Sequence, residues 1–186
     1  MEDPRELLRR AGDVAAGLIS GVSPAQLGNP SPCTEWSVRD LINHMANGNL
    51  RVVALVSGEP GPDRGEDVLG ADPASAFLDS FRRLCTAFDA EGVLERIFPT
   101  PFGDGPGSQL VVIRVIELTV HSWDLAAATG KPRDLDPVLV AFAESTLRAR
   151  PIPRGGGSFG VEQPGPQEAT AADRLAAYAG RKVPDL

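Results

Sequence analysis

Glu117 and His121 are two ionisable side chains four residues apart in a mostly apolar stretch of the chain. The stretch contains neither glycine nor proline, so it favours an α-helix, in which residues four apart lie on one face. A carboxylate and an imidazole that close together are able to bind one divalent metal ion. The chain has only two histidines, and the other one, His44, is the candidate third ligand.

Two histidines and a glutamate leave at least one coordination position open, the pattern of a catalytic rather than a structural zinc site. Water or a thiolate in that position would have a lowered pKa. Asp124 and Asn47 each lie one helical turn beyond a histidine, where they are candidates for hydrogen bonds that orient the ligands. Two alternatives stay open: Glu117 and His121 form a surface pair, and His44 is a hydrogen-bonded core residue.

The elements that must position these side chains are helical. Hydrophobic periodicity predicts α-helices over residues 4–19, 37–57, 73–89, 108–129 and 136–148, with a short last helix over 170–180. Ser37 and Asp40 are spaced as a capping box at the start of the second helix. Gly130 and Pro132 predict a stop after the fourth helix. Residues 97–103 are expected to be extended, and residues 105–107 to form a turn.

The connection between the second and third helices, residues 58–72, is long and rich in glycine, proline and aspartate. Its length suits a crossover between two parallel helices, and we therefore predict an all-α four-helix bundle with extra C-terminal helices. If the second and fourth helices are antiparallel, His44 and His121 lie roughly 10–12 Å from the same end of the bundle. Glu117 is one turn deeper, so the three side chains are able to meet.

Composition indicates an ordinary globular protein of 186 residues, 42% hydrophobic and 23% charged. We expect one domain over residues 1–186, with residues 151–186 packed on the bundle as an extension. The net charge of −7 argues against partners such as nucleic acid or an anionic membrane surface. The acidic N-terminus, without a signal-peptide core or a membrane-spanning run, predicts a cytoplasmic protein.

The remaining candidate residues favour structural roles. Cys33 and Cys85 form no zinc or redox motif and are expected to be free thiols with small, buried side chains. Trp36 and Trp123 are expected to pack near helix ends rather than to bind a ligand. The three glycines at 155–157 have neither a preceding strand nor a following Lys-Ser/Thr, so they do not indicate a phosphate loop.

Residues 32–44 resemble the opening pattern "PC-x-x-W-[ST]-V-R-D-L-x-x-H" of actinobacterial DinB-like metal-binding proteins. These proteins are relatives of the N-terminal domain of mycothiol-dependent maleylpyruvate isomerase. Further segments resemble the same family, namely residues 100–103, 117–126, 128–130, 159–160 and 173–175. The resemblance implies a DinB/YfiT-like bundle in up-down-down-up order. It also implies a divalent metal on His44, Glu117 and His121, usually zinc, with nickel or iron as alternatives.

The resemblance also implies chemistry, because the isomerase relatives use the thiolate of metal-bound mycothiol as a nucleophile. The first hypothesis is therefore a mycothiol-dependent transferase or isomerase, with a small-molecule thiol or electrophile as its partner. The second is a non-catalytic metal-binding or ligand-binding module with a stress or regulatory role, and the third is a helical interaction domain without a metal. A homodimer is compatible with each of them.

Overall fold

The computed structural model describes residues 3–33, 36–149, 154 and 159–183. Within these ranges, six helices and one two-stranded sheet form: α1 Pro4–Ser20, α2 Val38–Ser57, α3 Pro73–Asp89, β1 Ile97–Phe98, β2 Gly105–Pro106, α4 Gly107–Thr129, α5 Pro137–Arg148 and α6 Ala171–Tyr178. A short 3-10 turn over Pro24–Gln26 follows α1. Each helix is where the hydrophobic periodicity predicts it, and the all-α class is confirmed.

The ends of α2 and α4 also follow the predicted signals. The Ser37 hydroxyl accepts the Asp40 amide at 3.2 Å, and the Asp40 carboxylate accepts the Ser37 amide at 3.0 Å. Gly58 and Gly130, directly after α2 and α4, have φ of 76° and 68°, in the left-handed region that favours glycine. These residues therefore stop both helices at the predicted positions.

The predicted turn at residues 105–107 is wrong. Residues 105 and 106 form β2, which pairs antiparallel with β1, and Gly107 is the first residue of α4. A Cβ atom at Gly107 would lie 2.1 Å from the Val93 carbonyl oxygen. The glycine is thus required by a close approach of two backbone segments, which a sequence pattern does not distinguish from a turn.

The connection between α2 and α3 runs back along α2. The Asn47 side-chain amide donates to the Asp63 carbonyl at 2.9 Å, and Arg39, two turns earlier in α2, donates to the Gly70 carbonyl at 3.1 Å. Earlier positions in α2 therefore contact later residues of the connection. The connection returns to the start of α2, and Asn49 in the middle of α2 donates to Ser80 in the middle of α3 at 3.0 Å. Helix α3 therefore runs parallel to α2, which confirms the predicted crossover.

Helices α2 and α4 run in opposite directions. Arg114 near the start of α4 donates to Asn49 in the middle of α2 at 2.7 Å. Glu117, one turn further along α4, lies 2.8 Å from His44, which precedes Asn49 in α2. The register places the first half of α2 beside the second half of α4, as the candidate site requires.

Helix α4 is covered on two sides. One apolar cluster joins it to α1, α2 and α3, and a second cluster, which includes Trp123, joins it to α5 and α6. Every residue from 114 to 126 is buried except Glu117, which is half-buried. Trp123 is 1% exposed in the second cluster, two turns before the end of α4, and its indole donates to Asp173 at 2.8 Å.

The cysteines, the glycine-rich segment and the helix lengths complete the comparison with the sequence. Both cysteines are free thiols; Cys85 is half-buried beside the core and Cys33 lies near α4. Glycines 155–157, together with residues 151–153 and 158, lie outside the described residues. In the ranges that the structure covers, no helix is long and apolar enough to cross a membrane.

Two glycines in α1 should respond oppositely to alanine. A Cβ atom at Gly12 would lie 1.9 Å from the Phe81 ring, whereas a Cβ atom at Gly17 would meet no described atom within 4 Å. Gly17→Ala should raise the free energy of unfolding by about 0.5–1 kcal/mol, because alanine restricts the unfolded chain. Gly12→Ala should lower it by about 1–3 kcal/mol through overpacking. Urea denaturation measures both, and equal stabilities would contradict the close packing of α1 on α3.

Candidate metal centre

The three predicted ligands meet at one end of the bundle. His44 Nε2 lies 2.8 Å from Glu117 Oε1, and the imidazole rings of His44 and His121 are 5.0 Å apart between centroids. One ligand atom from each of the three side chains lies within 4.8 Å of the other two. The His44 and Glu117 side chains are 37% and 26% exposed. The cluster is therefore accessible to a small molecule from solvent.

Arg114 holds Glu117 from the interior. Its guanidinium donates to Glu117 Oε2 at 2.5 Å, to the Met45 carbonyl at 3.1 Å and to Asn49 Oδ1 at 2.7 Å. The residue is 2% exposed. A Cβ atom at Gly48 would lie 2.6 Å from Arg114 Nη1, so the missing side chain there makes room for the guanidinium. This arrangement leaves Oε1 of Glu117 facing His44.

The environment of Glu117 favours the carboxylate form. Burial by itself raises the pKa of Glu117, but the positive charge of Arg114 and the hydrogen bond from His44 outweigh it. The pKa of this carboxyl therefore lies well below its usual range. An ionised carboxylate is the form that binds a divalent metal ion.

Asp124, a candidate for orienting a histidine ligand, lies in contact with His121. Nδ1 of His121 lies 2.9 Å from Asp124 Oδ2, and the Asp124 side chain is fully buried. With Nδ1 bound to the carboxylate, Nε2 is the nitrogen that is left for the cluster with His44 and Glu117. Burial lowers the pKa of His121, although the hydrogen bond and charge of Asp124 oppose this effect. The lowered pKa favours the neutral imidazole, the form that binds a metal ion.

Asp124 has two further partners from distant parts of the chain. Arg181 contacts both of its oxygens, with Nη2 to Oδ2 at 2.9 Å and Nε to Oδ1 at 3.1 Å. The Cys33 thiol lies 3.1 Å from Oδ2. Burial raises the pKa of Asp124, but the hydrogen bond with His121 and the charge of Arg181 prevail and lower it to about 2. The aspartate therefore stays ionised at neutral pH.

Cys33 is a hydrogen-bond donor in this arrangement. Burial, followed by the nearby charge of Asp124, raises the pKa of the Cys33 thiol to about 12. The protonated thiol donates a hydrogen bond to Asp124. The sequence predicted only a small, buried side chain at Cys33 and gave no indication of this hydrogen bond. A thiol with so high a pKa is a poor nucleophile at neutral pH.

A second group of metal-ligating side chains, formed by Cys33, His121 and Asp124, shares His121 with the first. The Arg181 guanidinium contacts both oxygens of Asp124 within 3.1 Å, so a cation would have to compete with it for either oxygen, whereas Arg114 contacts only Oε2 of Glu117 and leaves Oε1 facing His44. Binding would also require loss of the Cys33 proton. These two costs favour His44, Glu117 and His121 as the metal-binding set.

Asn47 and Trp36 have contacts that differ from those expected from the sequence. The Asn47 amide donates to the carbonyls of Asp63 and Glu66, at 2.9 and 3.2 Å, and so ties the crossover to α2. Trp36 directly precedes the cap of α2, but its ring also lies 4.6 Å from that of His44 between centroids. Trp36 therefore lines the candidate site, a contact that the sequence did not indicate.

The fold and the site together define an all-α bundle with a nitrogen- and oxygen-donor cluster at one end, a candidate metal centre. Residues 8–126 match the family model described as the mycothiol maleylpyruvate isomerase N-terminal domain. The match covers more than half of the chain and includes His44, Glu117 and His121. The chain therefore belongs to this family.

Similar proteins fall into two groups. The uncharacterized proteins MT0763 and Rv0738, from two strains of Mycobacterium tuberculosis, are each 39% identical to this chain, over 97% of its length and 99% of theirs. Crystal structures of mycothiol-dependent maleylpyruvate isomerase and of a mutant of that enzyme match with a TM-score of 0.63 at 22% and 21% identity. These matches cover 76% of this chain and 66% of the isomerase, and they show a shared fold.

Proposed function

We propose that the protein binds one divalent metal ion through His44, Glu117 and His121 and uses it to activate a small thiol of the mycothiol type. The reaction class that we infer is transfer to, or isomerisation of, an electrophilic small molecule. The observation that carries the proposal is the approach of three ligand atoms to within 4.8 Å of one another. Membership in the mycothiol maleylpyruvate isomerase family supports the choice of thiol.

The donor set fits a metal of intermediate softness. Two imidazole nitrogens and one carboxylate oxygen suit zinc, and nickel or iron are alternatives. The lowered pKa values of Glu117 and His121 both favour the forms that ligate. When bound, a divalent ion would lower the pKa of a thiol in its open coordination position.

The charges around the cluster favour an anionic ligand. Glu117 and Asp124 carry negative charges, and Arg114 and Arg181 pair with them at 2.5 and 2.9 Å. These four charges cancel one another, so the positive charge of a bound divalent ion would not be neutralised within this group of side chains. A thiolate supplies the missing negative charge at that point.

The side chains at the mouth of the site bind and orient the incoming molecule. The His44 and Glu117 side chains are partly exposed, whereas that of His121 is 11% exposed and faces the interior. The ring of Trp36 lies beside His44 and offers an apolar surface next to the donor atoms. A small thiol that reaches the exposed sides of His44 and Glu117 would therefore lie close to Trp36, while Arg114 fixes the position of Glu117.

Metal analysis and thermal unfolding test the proposal. Purified protein should contain about one zinc per chain, as the four-coordinate sites of this donor type do. Mycothiol at 100 times its dissociation constant should stabilise the metal-loaded protein by about 2.7 kcal/mol. S-methylated mycothiol is the matched control, because it cannot form a thiolate and should have little effect. Chelator-treated protein should respond to neither compound.

The outcomes separate the three hypotheses. A protein without stoichiometric metal contradicts the proposal and favours a helical interaction domain. Metal binding without any response to mycothiol favours a non-catalytic module. Metal binding together with mycothiol-dependent consumption of an electrophile such as maleylpyruvate supports the enzyme.

A further inference from the structure

The C-terminal part of the chain reaches the candidate metal centre through Arg181, which lies outside the family match over residues 8–126. We propose that Arg181 is a positioning residue for the metal: through Asp124 it fixes the orientation of the His121 ring. This inference rests on the proposed metal site. It assigns part of that site to residues beyond the matched region.

The geometry of the contact is that of a two-point clamp. Arg181 Nη2 and Nε each approach a different oxygen of Asp124, at 2.9 and 3.1 Å, and the residue is 7% exposed. A planar guanidinium with two contacts restricts the plane of a carboxylate, which a single-point donor does not do. The same carboxylate accepts His121 Nδ1, so the direction of His121 Nε2 depends on that plane.

Arg181 is itself held in place by the end of α6. Its backbone amide donates to the Ala176 carbonyl at 2.9 Å, and its Nη1 donates to the Ala179 carbonyl at 2.9 Å. Gly180 has φ of 95°, and a Cβ atom there would lie 2.5 Å from the Cα of Gly160. The chain therefore turns at Gly180 against residue 160, and this turn sends the guanidinium towards α4.

The Arg181→Lys variant tests the clamp, because lysine keeps the charge and removes the fork. Zinc affinity, measured by competition with a chromogenic chelator, should fall by about 10-fold. The visible absorption spectrum of the cobalt-substituted protein should shift, since it reports the arrangement of the ligands. Arg133→Lys is the matched control: Arg133 Nε contacts the buried Asp173 at 2.9 Å, and Asp173 is bonded to Trp123 of the second apolar cluster rather than to the candidate ligands. Its affinity and spectrum should equal those of the wild type.

A double-mutant cycle with Asp124→Asn shows whether Arg181 acts through the aspartate. Asp124→Asn should weaken zinc binding by about 10-fold, and Arg181→Lys should add little in that background. Should Arg181→Lys fail to fold, Asp124→Asn decides: wild-type zinc affinity in this variant overturns the inference, and weakened affinity supports it.

The remaining outcomes are also distinct. A folded Arg181→Lys protein with wild-type affinity and spectrum overturns the inference while the proposed function stands, provided the wild type binds zinc. Full additivity in the cycle also overturns it, because Arg181 would then act independently of Asp124. A wild-type protein that binds no zinc overturns the proposed function and this inference with it.

Discussion

The zinc affinity of the His44→Ala variant should fall by more than about 100-fold. Loss of a residue that only hydrogen-bonds to a ligand typically lowers metal affinity by about 10–100-fold, and loss of a ligand itself should lower it further. His44 supplies one of the three donor atoms. The sequence contains only one other histidine, His121, which is already in the group. Its side chain is 37% exposed, so its removal leaves a small gap at the surface rather than a cavity in the core. The helical fold should therefore remain intact.

Asn47→Ala is the matched control for His44→Ala. Asn47 lies one turn further along α2, and its amide holds the crossover through Asp63 and Glu66. This variant should lose about 1 kcal/mol of stability with its hydrogen bonds and keep wild-type zinc affinity. Chelator competition and circular dichroism measure the two properties. A His44→Ala protein that still binds zinc tightly would remove His44 from the site.

The helices and the crossover were predictable because their signals are local. Ser37 with Asp40 and Asp136 with Pro137 begin helices through contacts within one turn, and Gly130 ends one through its own backbone conformation. The crossover follows from the length of residues 58–72. The turn predicted at residues 105–107 failed because a packing contact, the approach to Val93, sets the need for Gly107.

The candidate ligands were predictable to the extent that helix geometry decides them. Glu117 and His121 are neighbours on one face of α4, and an antiparallel register brings His44 to their level. Arg114 had one usable signal, a single arginine in a mostly apolar helix, because a buried charge needs a partner. Arg181 had none: it is 57 residues from Asp124, and only the tertiary fold brings the two together.

The unpredicted arginines share one physical role. Arg114 and Arg181 are buried, and each neutralises a carboxylate that belongs to the site or orients it. Burying Glu117 and Asp124 without them would carry a large desolvation cost, since an unpaired charge in a low-dielectric interior is unfavourable. Removal of either arginine alone is therefore expected to destabilise this end of the bundle, whether or not a metal is bound.

The Arg114→Met variant should consequently be strongly destabilised even without metal. It leaves Glu117 without its buried counter-charge and removes a donor from Asn49 Oδ1, which is fully buried. Breaking a fully buried ion pair lowers the free energy of unfolding by about 3–5 kcal/mol, and because the Glu117 side chain is 26% exposed we expect the lower end of this range. Urea denaturation in the presence of a chelator measures the effect of the ion pair separately from that of zinc.

Two comparisons identify the cause of that loss. Arg9→Met removes an arginine whose pair with Asp89 is exposed at the surface, with both side chains nearly half exposed, so it should change stability by less than about 1 kcal/mol. Adding Glu117→Gln to Arg114→Met should recover part of the loss, because the unpaired carboxylate charge is then absent. Equal effects of Arg114→Met and Arg9→Met would contradict a stabilising role for the buried pair. A double variant less stable than Arg114→Met alone would show that lost packing, rather than the isolated charge of Glu117, dominates.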